Sequence, residues 1–397
     1  MKICLLADAI VPPLTGIGRY AWALAERLHE AEIVDELSLI SYTGRHSLDA
    51  LRARVVGTPD ALAVGDDRGD GIDWKITANA RARAWLINWR VVSAAYTLTQ
   101  ELTCQYHLSR IEPDVVHGPN YHLTQRLPKR CASVVTIHDL STVVAPHWHP
   151  TERVARMDAL LPKSLARADR IIVDAGHCAA TLTEHFAISP DRISIIPLGI
   201  DRQWLSAPLQ GGGARAYTLC VSTIEPRKNI DTLLSAYATL PRELRDAYPL
   251  CLVGEAGWRS AETHTRVRKY QREGWLRYEG YVTDSRLRAL YSGARLCVYP
   301  SLYEGFGLPV LEAFATGCPL IAGNHSSLPE VAGGLATLLD DVTDVDALRE
   351  ALVAELTSPW RDEAAGARRA YAGQFSWDRT VSKTLAAYQK AFSDHVR

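Results

Sequence analysis

The stretch SLYEGFGLPVLEAFATG (residues 301–317) decides the fold of this chain, because it predicts the junction between a buried strand and a helix. The apolar run Leu296–Tyr299 before it predicts the strand, and Pro309 suits the first turn of a helix, where its missing N–H is not needed. Gly317 follows the last apolar residues and predicts the end of the helix. Strand, glycine-bearing loop and helix are the unit from which parallel α/β sheets are built.

The loop of this junction carries the groups of an anion site. The backbone N–H groups of Phe306, Gly307 and Leu308 lie at the start of the predicted helix, where unpaired amides and the helix dipole favour negative charge. Glu304 stands in the loop and Glu312 lies inside the helix. The two carboxylates can accept hydrogen bonds from two hydroxylated parts of one ligand, such as a sugar and a ribose, although either glutamate alone is typical of a solvated surface.

A second junction of the same kind is STIEPRKNI (residues 222–230), which adds the adjacent cations Arg227 and Lys228. A guanidinium fork and an ammonium point charge at the carboxyl end of a strand suit a diphosphate. An ordinary basic loop is the alternative for this segment taken by itself.

The first 45 residues predict a strand, a loop, a helix and a second strand. Gly16 and Gly18 in the turn GIGRY (residues 16–20) leave room for backbone N–H groups to approach a phosphate or a sugar. The GxGxxG fingerprint of a dinucleotide site is incomplete, because residue 21 is alanine and no acidic residue ends the second strand. A Rossmann dehydrogenase is therefore weakly supported.

His138 lies in TIHDL (residues 136–140), where an apolar strand ends. At the edge of a parallel sheet its imidazole is placed to hydrogen-bond a substrate hydroxyl. A structural histidine, bonded within the protein, is the alternative.

The strand–helix rhythm is interrupted at LQGGGARA (residues 209–216) and then resumes, which indicates a linker between two α/β domains. We predict a doubly wound domain over residues 1–208, the linker 209–216, a second domain over 217–375 and a tail, 376–397, whose helix Thr380–Phe392 returns to the first domain.

Composition sets the class of protein. The chain of 397 residues has 44 basic and 45 acidic residues, a net charge of −1, which disfavours a protein that coats nucleic acid. Its eight cysteines include no CxxC pair, which disfavours a zinc ribbon or disulfide framework and fits a reducing cytoplasm. The start MKICLLADAIVPP predicts a buried strand rather than a signal peptide, and no long apolar run predicts a membrane span.

Several motifs resemble those of retaining family 4 glycosyltransferases of the GT-B fold. The residues that carry the likeness are STIEPRKNIDTLLSAY (222–237), LVGEAGW (252–258), YEGYVTDSRLRALYSGA (278–294) and YPSLYEGFGLPVLEAFATGCPLIA (299–322). GIGRY, TIHDL and IIPLGID (195–201) match the same family in order. Glu304 and Glu312 occupy the positions of its two glutamates, which are separated by seven residues.

The resemblance implies two Rossmann-like domains that face each other across a cleft, with a nucleotide-sugar held by the second domain and the acceptor by the first. Arg227 and Lys228 would neutralise the departing nucleoside diphosphate, and the amides of residues 306–308 would hold the donor. The resemblance also implies that Glu304 would contact a sugar hydroxyl and Glu312 the ribose. Gly16 and Gly18 would approach the diphosphate, and His138 would contact the donor sugar.

The likeness to bacterial mannosyltransferases of surface polysaccharide synthesis favours GDP-mannose as the donor and a glycan or lipid-linked oligosaccharide as the acceptor. Retention would follow from front-face attack, without a protein nucleophile, a metal or a cofactor. Asp344 and Asp346 are better explained as the start of a helix than as metal ligands. Some relatives carry a further arginine where this chain has Ser222, so Arg227 would have to make the bidentate contact.

Three alternatives remain open: a donor such as UDP-glucose or a deoxyhexose nucleotide, a GT-B sugar-nucleotide epimerase, and a non-catalytic binding module. Residues 74–100 contain no acidic side chain and carry tryptophans. They predict a basic amphipathic helix that either buries an aromatic face in its domain or rests on an anionic membrane surface, which would make a cytoplasmic enzyme peripheral to the inner face of the membrane.

Overall fold

A computed structural model of the chain describes residues 1–12, 14, 16–56 and 90–396. Residues 57–73 are rich in glycine and aspartate, a composition that predicts an exposed loop, and they lie outside the described residues. The basic segment 74–100 also lies outside them as far as residue 89. The remaining residues of that segment belong to a helix. The structure describes the backbone but not the side chains of residues 90–97 in this helix.

The first domain is a sheet with helices on both faces. Within the described residues its strands are β1 (Lys2–Leu6), β2 (Glu36–Ser41), β3 (Gly44–His46), β4 (Val115–Gly118), β5 (Ala132–Ile137), β6 (Arg170–Val173) and β7 (Ile193–Ile195). They lie in the order β3-β2-β1-β4-β5-β6-β7, and all neighbours are parallel except the antiparallel pair β2–β3. Its helices are α1 (Gly16–Glu30), α2 (Leu48–Val56), α3 (Arg90–Ile111), α4 (Ser141–Val144), α5 (Thr151–Arg167), α6 (Gly176–Phe186) and α7 (Arg202–Ser206).

The second domain repeats this architecture with parallel strands throughout. Its strands are β8 (Tyr217–Val221), β9 (Leu250–Val253), β10 (Leu276–Tyr278), β11 (Ala294–Tyr299), β12 (Leu320–Gly323) and β13 (Thr337–Leu339), in the order β10-β9-β8-β11-β12-β13. Its helices are α8 (Ile230–Ala238), α9 (Arg242–Ala247), α10 (Ala261–Arg272), α11 (Asp284–Gly293), α12 (Leu308–Ala315), α13 (Leu328–Ala332), α14 (Val345–Thr357) and α15 (Asp362–Ala372). The predicted pair of doubly wound α/β domains is confirmed.

Each sheet reverses its strand order at one place, between β1 and β4 in the first domain and between β8 and β11 in the second. The loops that leave neighbouring strands at such a point diverge to opposite faces and open a crevice, which is where ligands bind in open α/β sheets. The motifs of residues 222–230 and 301–317 leave β8 and β11, so they meet at this point.

The ends of most predicted elements differ from the observed ends by one to three residues. The first helix differs in another way, because it includes residues that were predicted to form a turn. The sequence predicts a glycine turn followed by a helix from about residue 19, whereas α1 begins at Gly16. Gly16 and Gly18 therefore belong to the first helical turn, whose N–H groups have no partner within the helix. The short outer strands β3, β10 and β13 were not predicted, because three-residue segments carry too little periodicity.

The last helix, α16 (Trp377–Val396), packs against the first domain although it follows the second. The hydroxyl of Tyr388 is 2.7 Å from Nδ1 of His117 on β4, and both side chains are buried. In the segment between the domains, the buried guanidinium of Arg215 donates to the carbonyls of Ala294 and Gln210. The two domains are thus joined both by an ordered linker and by a returning helix.

The eight cysteines are buried free thiols, an environment in which cysteine acts as a small apolar residue. Within the residues that the structure describes, no helix combines the length and the apolar character needed to cross a membrane.

Candidate active site

Arg227, Lys228 and Glu304 come together where the second sheet reverses its strand order. The two cations lie in a 3₁₀ turn, Pro226–Lys228, after β8, and Glu304 lies in the loop after β11. The Lys228 Nζ donates to Oε1 of Glu304 at 2.5 Å and to the hydroxyl of Tyr299 at 3.1 Å. The Arg227 Nη1 donates to Oε2 of Glu304 at 3.0 Å, so both carboxylate oxygens are bonded to cations.

Burial makes this cluster electrostatically strong. Lys228 is 8% exposed and Glu304 7% exposed, so their charges interact through little solvent. Burial opposes ionisation of Glu304, but the charges of Arg227 and Lys228 outweigh it and hold the pKa of Glu304 at about 2. Burial and the neighbouring Arg227 lower the pKa of Lys228, against the opposing pull of Glu304. The carboxylate therefore offsets the repulsion between the buried Lys228 and the adjacent, partly buried Arg227.

The start of α12 presents backbone rather than side chains. The ring of Phe306 is buried and lies 6.2 Å from the ring of Phe375, so only its main chain is available to a ligand. Gly307 precedes the helix with φ of 106°, a conformation that favours glycine. The hydroxyl of Ser327 donates to the carbonyls of Glu304 and Phe306 and holds the loop in place. The amides of residues 306–308 are thus fixed at a helix N-terminus.

Glu312 lies one turn into α12 and is 6% exposed. Its Oε1 is 3.6 Å from Nη1 of Arg19 in the first domain, whose Nη2 also binds Asp284. Burial raises the pKa of Glu312, against the opposing charge of Arg19 and a hydrogen bond with Tyr291. The carboxylate that resemblance assigns to a ribose therefore faces the first turns of α1 across the cleft.

Gly16 and Gly18 occupy the first turn of α1, but they differ in what surrounds them. A Cβ added to Gly18 would lie 3.1 Å from the carbonyl oxygen of Ala9 and 3.3 Å from Leu14, so packing within the domain restricts this position. A Cβ on Gly16 would meet no atom of the described residues within 4 Å. Packing among the described residues does not require glycine at residue 16, and a contact between this residue and a ligand stays a prediction.

The difference at Gly16 gives a test. We expect Gly16→Ala to keep or slightly raise the melting temperature, since alanine is the better helix former. We expect the KM for the donor to rise by roughly 10-fold, because the methyl group fills the space through which the first-turn amides approach a phosphate. Gly366→Ala is the matched control, since Gly366 also lies in a helix, α15, and its added Cβ meets no described atom within 4 Å. Equal donor KM values for Gly16→Ala and Gly366→Ala would contradict this role.

His138 lies at the carboxyl end of β5 and is 7% exposed. Its Nε2 donates to the carbonyl of Pro119 at 2.9 Å and its Nδ1 is 2.7 Å from Oδ2 of Asp174. Burial opposes the charged imidazole, but Asp174 outweighs it and raises the pKa of His138. Both ring nitrogens are thus engaged within the first domain, and a contact between this ring and a sugar hydroxyl requires that one of these bonds be exchanged.

The backbone of His138 is in contact with the second domain. A Cβ added to Gly305 would lie 2.6 Å from the carbonyl carbon of His138 and 2.8 Å from Cβ of Asp139, with the carbonyl oxygen closer still. The thiol of Cys178 lies 3.4 Å from the carbonyl of Gly305. The loop that carries Glu304 therefore rests directly on the end of β5, and glycine permits this approach.

Two further contacts hold the cleft closed. The carboxylate of Glu330 on α13 accepts from the N–H of Gly176 at 2.8 Å, at the N-terminus of α6 in the first domain. On another side of the cleft, Nε1 of Trp258 donates to the carbonyl of Trp148 at 2.7 Å. The structure thus shows the two domains in contact around the cluster of Arg227, Lys228 and Glu304.

The aspartates that we predicted to start a helix do so. Asp344 precedes α14 and its Oδ1 accepts from the N–H groups of Asp346 and Ala347 at 2.9 and 3.1 Å. Among the described residues, no group of three or more His, Cys, Asp or Glu side chains has the spacing of a metal site.

Three residues of the cleft were not found from the sequence. Arg19 stands in the quoted GIGRY motif, but only its pairing with Glu312 across the cleft reveals its place. Gly305 stands between Glu304 and Phe306, and no sequence pattern reports a contact with another domain. His149 follows a tryptophan in a loop without periodicity, and its burial becomes evident only in the structure.

Comparisons with known proteins agree with the fold and with the motifs. The family model Glycosyltransferase Family 4 matches residues 14–204, and the model Glycosyl transferases group 1 matches residues 207–371. The O-antigen chain mannosyltransferase B of Escherichia coli is 36% identical over 399 aligned positions, which cover 98% of this chain and 100% of that protein. The MMP alpha-(1->4)-mannosyltransferase of Mycolicibacterium hassiacum is 34% identical over 61% of this chain and 56% of its own length.

Solved structures show the same two-domain arrangement. Sucrose-phosphate synthase from Thermosynechococcus elongatus superposes with a TM-score of 0.68 at 20% identity, covering 99% of this chain and 100% of its own. WaaG, a glycosyltransferase involved in lipopolysaccharide biosynthesis, superposes with a TM-score of 0.65 at 18% identity, covering 98% of both chains. At such identities the likeness concerns the fold alone.

Proposed function

The chain belongs to the family 4 glycosyltransferases of the GT-B fold, and we propose that it transfers mannose from GDP-mannose to a hydroxyl of a glycan or lipid-linked oligosaccharide, with retention of configuration. The observation that carries this proposal is the buried cluster of Arg227, Lys228 and Glu304 beside the N-terminus of α12. Cations and helix-terminal amides at one point of the cleft form a receptor for a diphosphate.

The cluster supports the chemistry of a departing diphosphate. When the bond between the anomeric carbon and the phosphate oxygen breaks, its electron pair goes to the diphosphate, which gains negative charge. Arg227 and Lys228 are already fixed by Glu304, so they can stabilise that charge without reorganising. The acceptor hydroxyl forms the new bond to the anomeric carbon on the face that the diphosphate leaves, and its proton passes to a phosphate oxygen.

Mannose is proposed from the names of the relatives, and guanosine from the resemblance of the sequence motifs to bacterial mannosyltransferases of surface polysaccharide synthesis. Both of the relatives described above bear names that state a mannosyltransferase, and one of them matches over nearly the whole chain. A metal is not needed in this scheme, because Arg227 and Lys228 supply the charge that a divalent ion supplies elsewhere. A cytoplasmic site of action, with residues 74–100 against an anionic membrane, remains a prediction from the sequence.

The test is a panel of GDP-mannose, UDP-glucose and GDP-fucose, with release of nucleoside diphosphate measured with and without an α-mannoside acceptor. We expect the acceptor to stimulate GDP release from GDP-mannose, the product to carry an α-linkage by NMR, and EDTA to leave the rate unchanged. Faster release from another donor would contradict GDP-mannose as the donor, and a β-linked product would contradict retention of configuration. Loss of activity in EDTA would contradict a reaction without a metal. Conversion of the donor to its epimer without transfer would identify an epimerase.

A further inference from the structure

His149 is a buried polar side chain that the proposed mechanism does not use. It is 2% exposed, and neither ring nitrogen has a hydrogen-bond partner among the residues that the structure describes. Buried polar groups in folded proteins are paired in the great majority of cases, because an unpaired one forfeits its solvation. A partner other than the described residues is therefore expected at this ring.

The position of His149 is fixed from both domains. It follows the 3₁₀ turn Pro146–Trp148, in the loop that leads from the carboxyl edge of the first sheet to α5. The carbonyls of the two preceding residues accept from the second domain, that of Trp148 from Trp258 at 2.7 Å and that of His147 from Arg259 at 2.5 Å. The ring of Trp258 lies 5.6 Å from the ring of His149. The imidazole is thus held at the contact between the two domains, next to the ring of Trp258.

The electrostatic surroundings define what His149 can bind. Burial lowers the pKa of His149 to about 4, and the positive charges of Arg153, Arg227 and Arg259 add to this effect. The negative charge of Asp139 opposes it only in part. At neutral pH the ring is uncharged, so one nitrogen donates and the other accepts. Asp139 stays ionised, since Arg227 and the hydrogen bonds from Ser141 outweigh its burial. A neutral imidazole near a carboxylate matches hydroxyl groups, which donate and accept, better than it matches an anion.

We propose that His149 binds a hydroxyl of the acceptor sugar, in a subsite completed by Asp139 and the ring of Trp258. The inference rests on the proposed function, which gives Arg227 to the donor diphosphate. Front-face attack brings the acceptor oxygen to the side that the diphosphate leaves. His149 belongs to the first domain, in a segment whose carbonyls are bonded to Trp258 and Arg259 of the second domain. The ligand class is a pyranoside with neighbouring hydroxyls.

The test uses the full chain and methyl α-D-mannopyranoside as the acceptor probe, in the presence of GDP. His149→Phe keeps the ring and its packing against Trp258 but removes both polar atoms, whereas His149→Asn restores one donor and one acceptor. We expect His149→Phe to weaken probe binding, measured by NMR titration, and to raise the acceptor KM by at least about 10-fold. We expect His149→Asn to recover part of this loss, and the donor KM and acceptor-independent donor hydrolysis to stay within about 3-fold in both.

The matched control is His147→Phe, because the exposed His147 contributes its backbone carbonyl, which the substitution keeps. Binding of the probe by His149→Phe at wild-type strength, no probe binding by the wild type, or an equal rise in donor and acceptor KM would overturn the acceptor role. A donor panel without turnover would instead refute the proposed function, since probe binding is measured without turnover.

Discussion

Replacing Lys228 with methionine is expected to lower kcat by at least about 10²-fold, the scale seen when one fixed electrostatic contact to a transition state is lost. The ammonium group lies 2.5 Å from Glu304 and is buried with it, and the loop has no second lysine to replace its charge at that place. The loss should appear mainly in kcat, because the charge on the diphosphate grows as the glycosyl bond breaks.

The fold is expected to survive this substitution. Methionine keeps most of the length of the lysine stem, and Glu304 remains paired with Arg227 at 3.0 Å, so the buried carboxylate is not left without a cation. The melting temperature should change by no more than about 5 °C. A large kcat effect with a small stability effect separates a catalytic role from a structural one.

The measurement is steady-state release of nucleoside diphosphate with the accepted donor, together with thermal unfolding. Lys269→Met is the control, because Lys269 lies exposed on α10 and pairs only weakly with Glu273 at 3.8 Å. A kcat of Lys228→Met within about 5-fold of the wild type would refute the assignment of Lys228 to the leaving group.

The sequence predicted the parts of this site that lie within one strand–loop–helix unit. Arg227, Lys228 and Glu304 each follow an apolar strand and precede a helix, and parallel strands bring such loops to one edge of a sheet. Whether β8 and β11 are neighbours depends on the topology of the chain, which local sequence patterns do not report. The strand order that is usual in doubly wound sheets predicts this neighbourhood, and the second domain follows that order.

Contacts between the domains could not be predicted in the same way. Arg19 and Glu312 are separated by nearly 300 positions, and their approach depends on how two independently folded sheets face each other. His138 illustrates the same limit, since the sequence indicates a polar residue at a strand end but not whether its ring nitrogens are bonded to Asp174 and Pro119 or to a substrate. The local periodicity of apolar residues predicts helices and strands, whereas the contact between two domains depends on how their folded surfaces fit together.

Gly305→Ala is expected to lower kcat by about 10²-fold or more through domain closure rather than through chemistry, since a displacement of about 1 Å in a reacting geometry can cost that much. The added Cβ would lie 2.6 Å from the carbonyl carbon of His138 and 2.8 Å from Cβ of Asp139, distances that non-bonded carbon atoms do not adopt. These neighbours are the backbone at the end of an inner strand and the Cβ of Asp139, which is fixed to the main chain, so neither can rotate away. The domains must separate at this point.

Separation would also strain the contacts around the cleft, among them the bond from Gly176 to Glu330 and that from Trp258 to Trp148. Each domain should nevertheless remain folded, because the nearest atoms to the added Cβ belong to the opposite domain. We therefore expect Gly305→Ala to bind the nucleoside diphosphate within about 3-fold of the wild type while kcat/KM for the acceptor falls steeply. Small-angle scattering should give a larger radius of gyration.

Gly211→Ala is the control, since Gly211 lies in an irregular segment and its added Cβ meets no atom of the described residues within 4 Å. If closure is what Gly305 permits, larger side chains at residue 305 should lower kcat further in the order Ala, Ser, Val, with little additional effect on diphosphate binding. A variant that loses diphosphate binding and acceptor turnover together would show that Gly305 shapes the donor loop itself. Unchanged kcat in Gly305→Ala would mean that catalysis does not pass through the domain contact seen at His138.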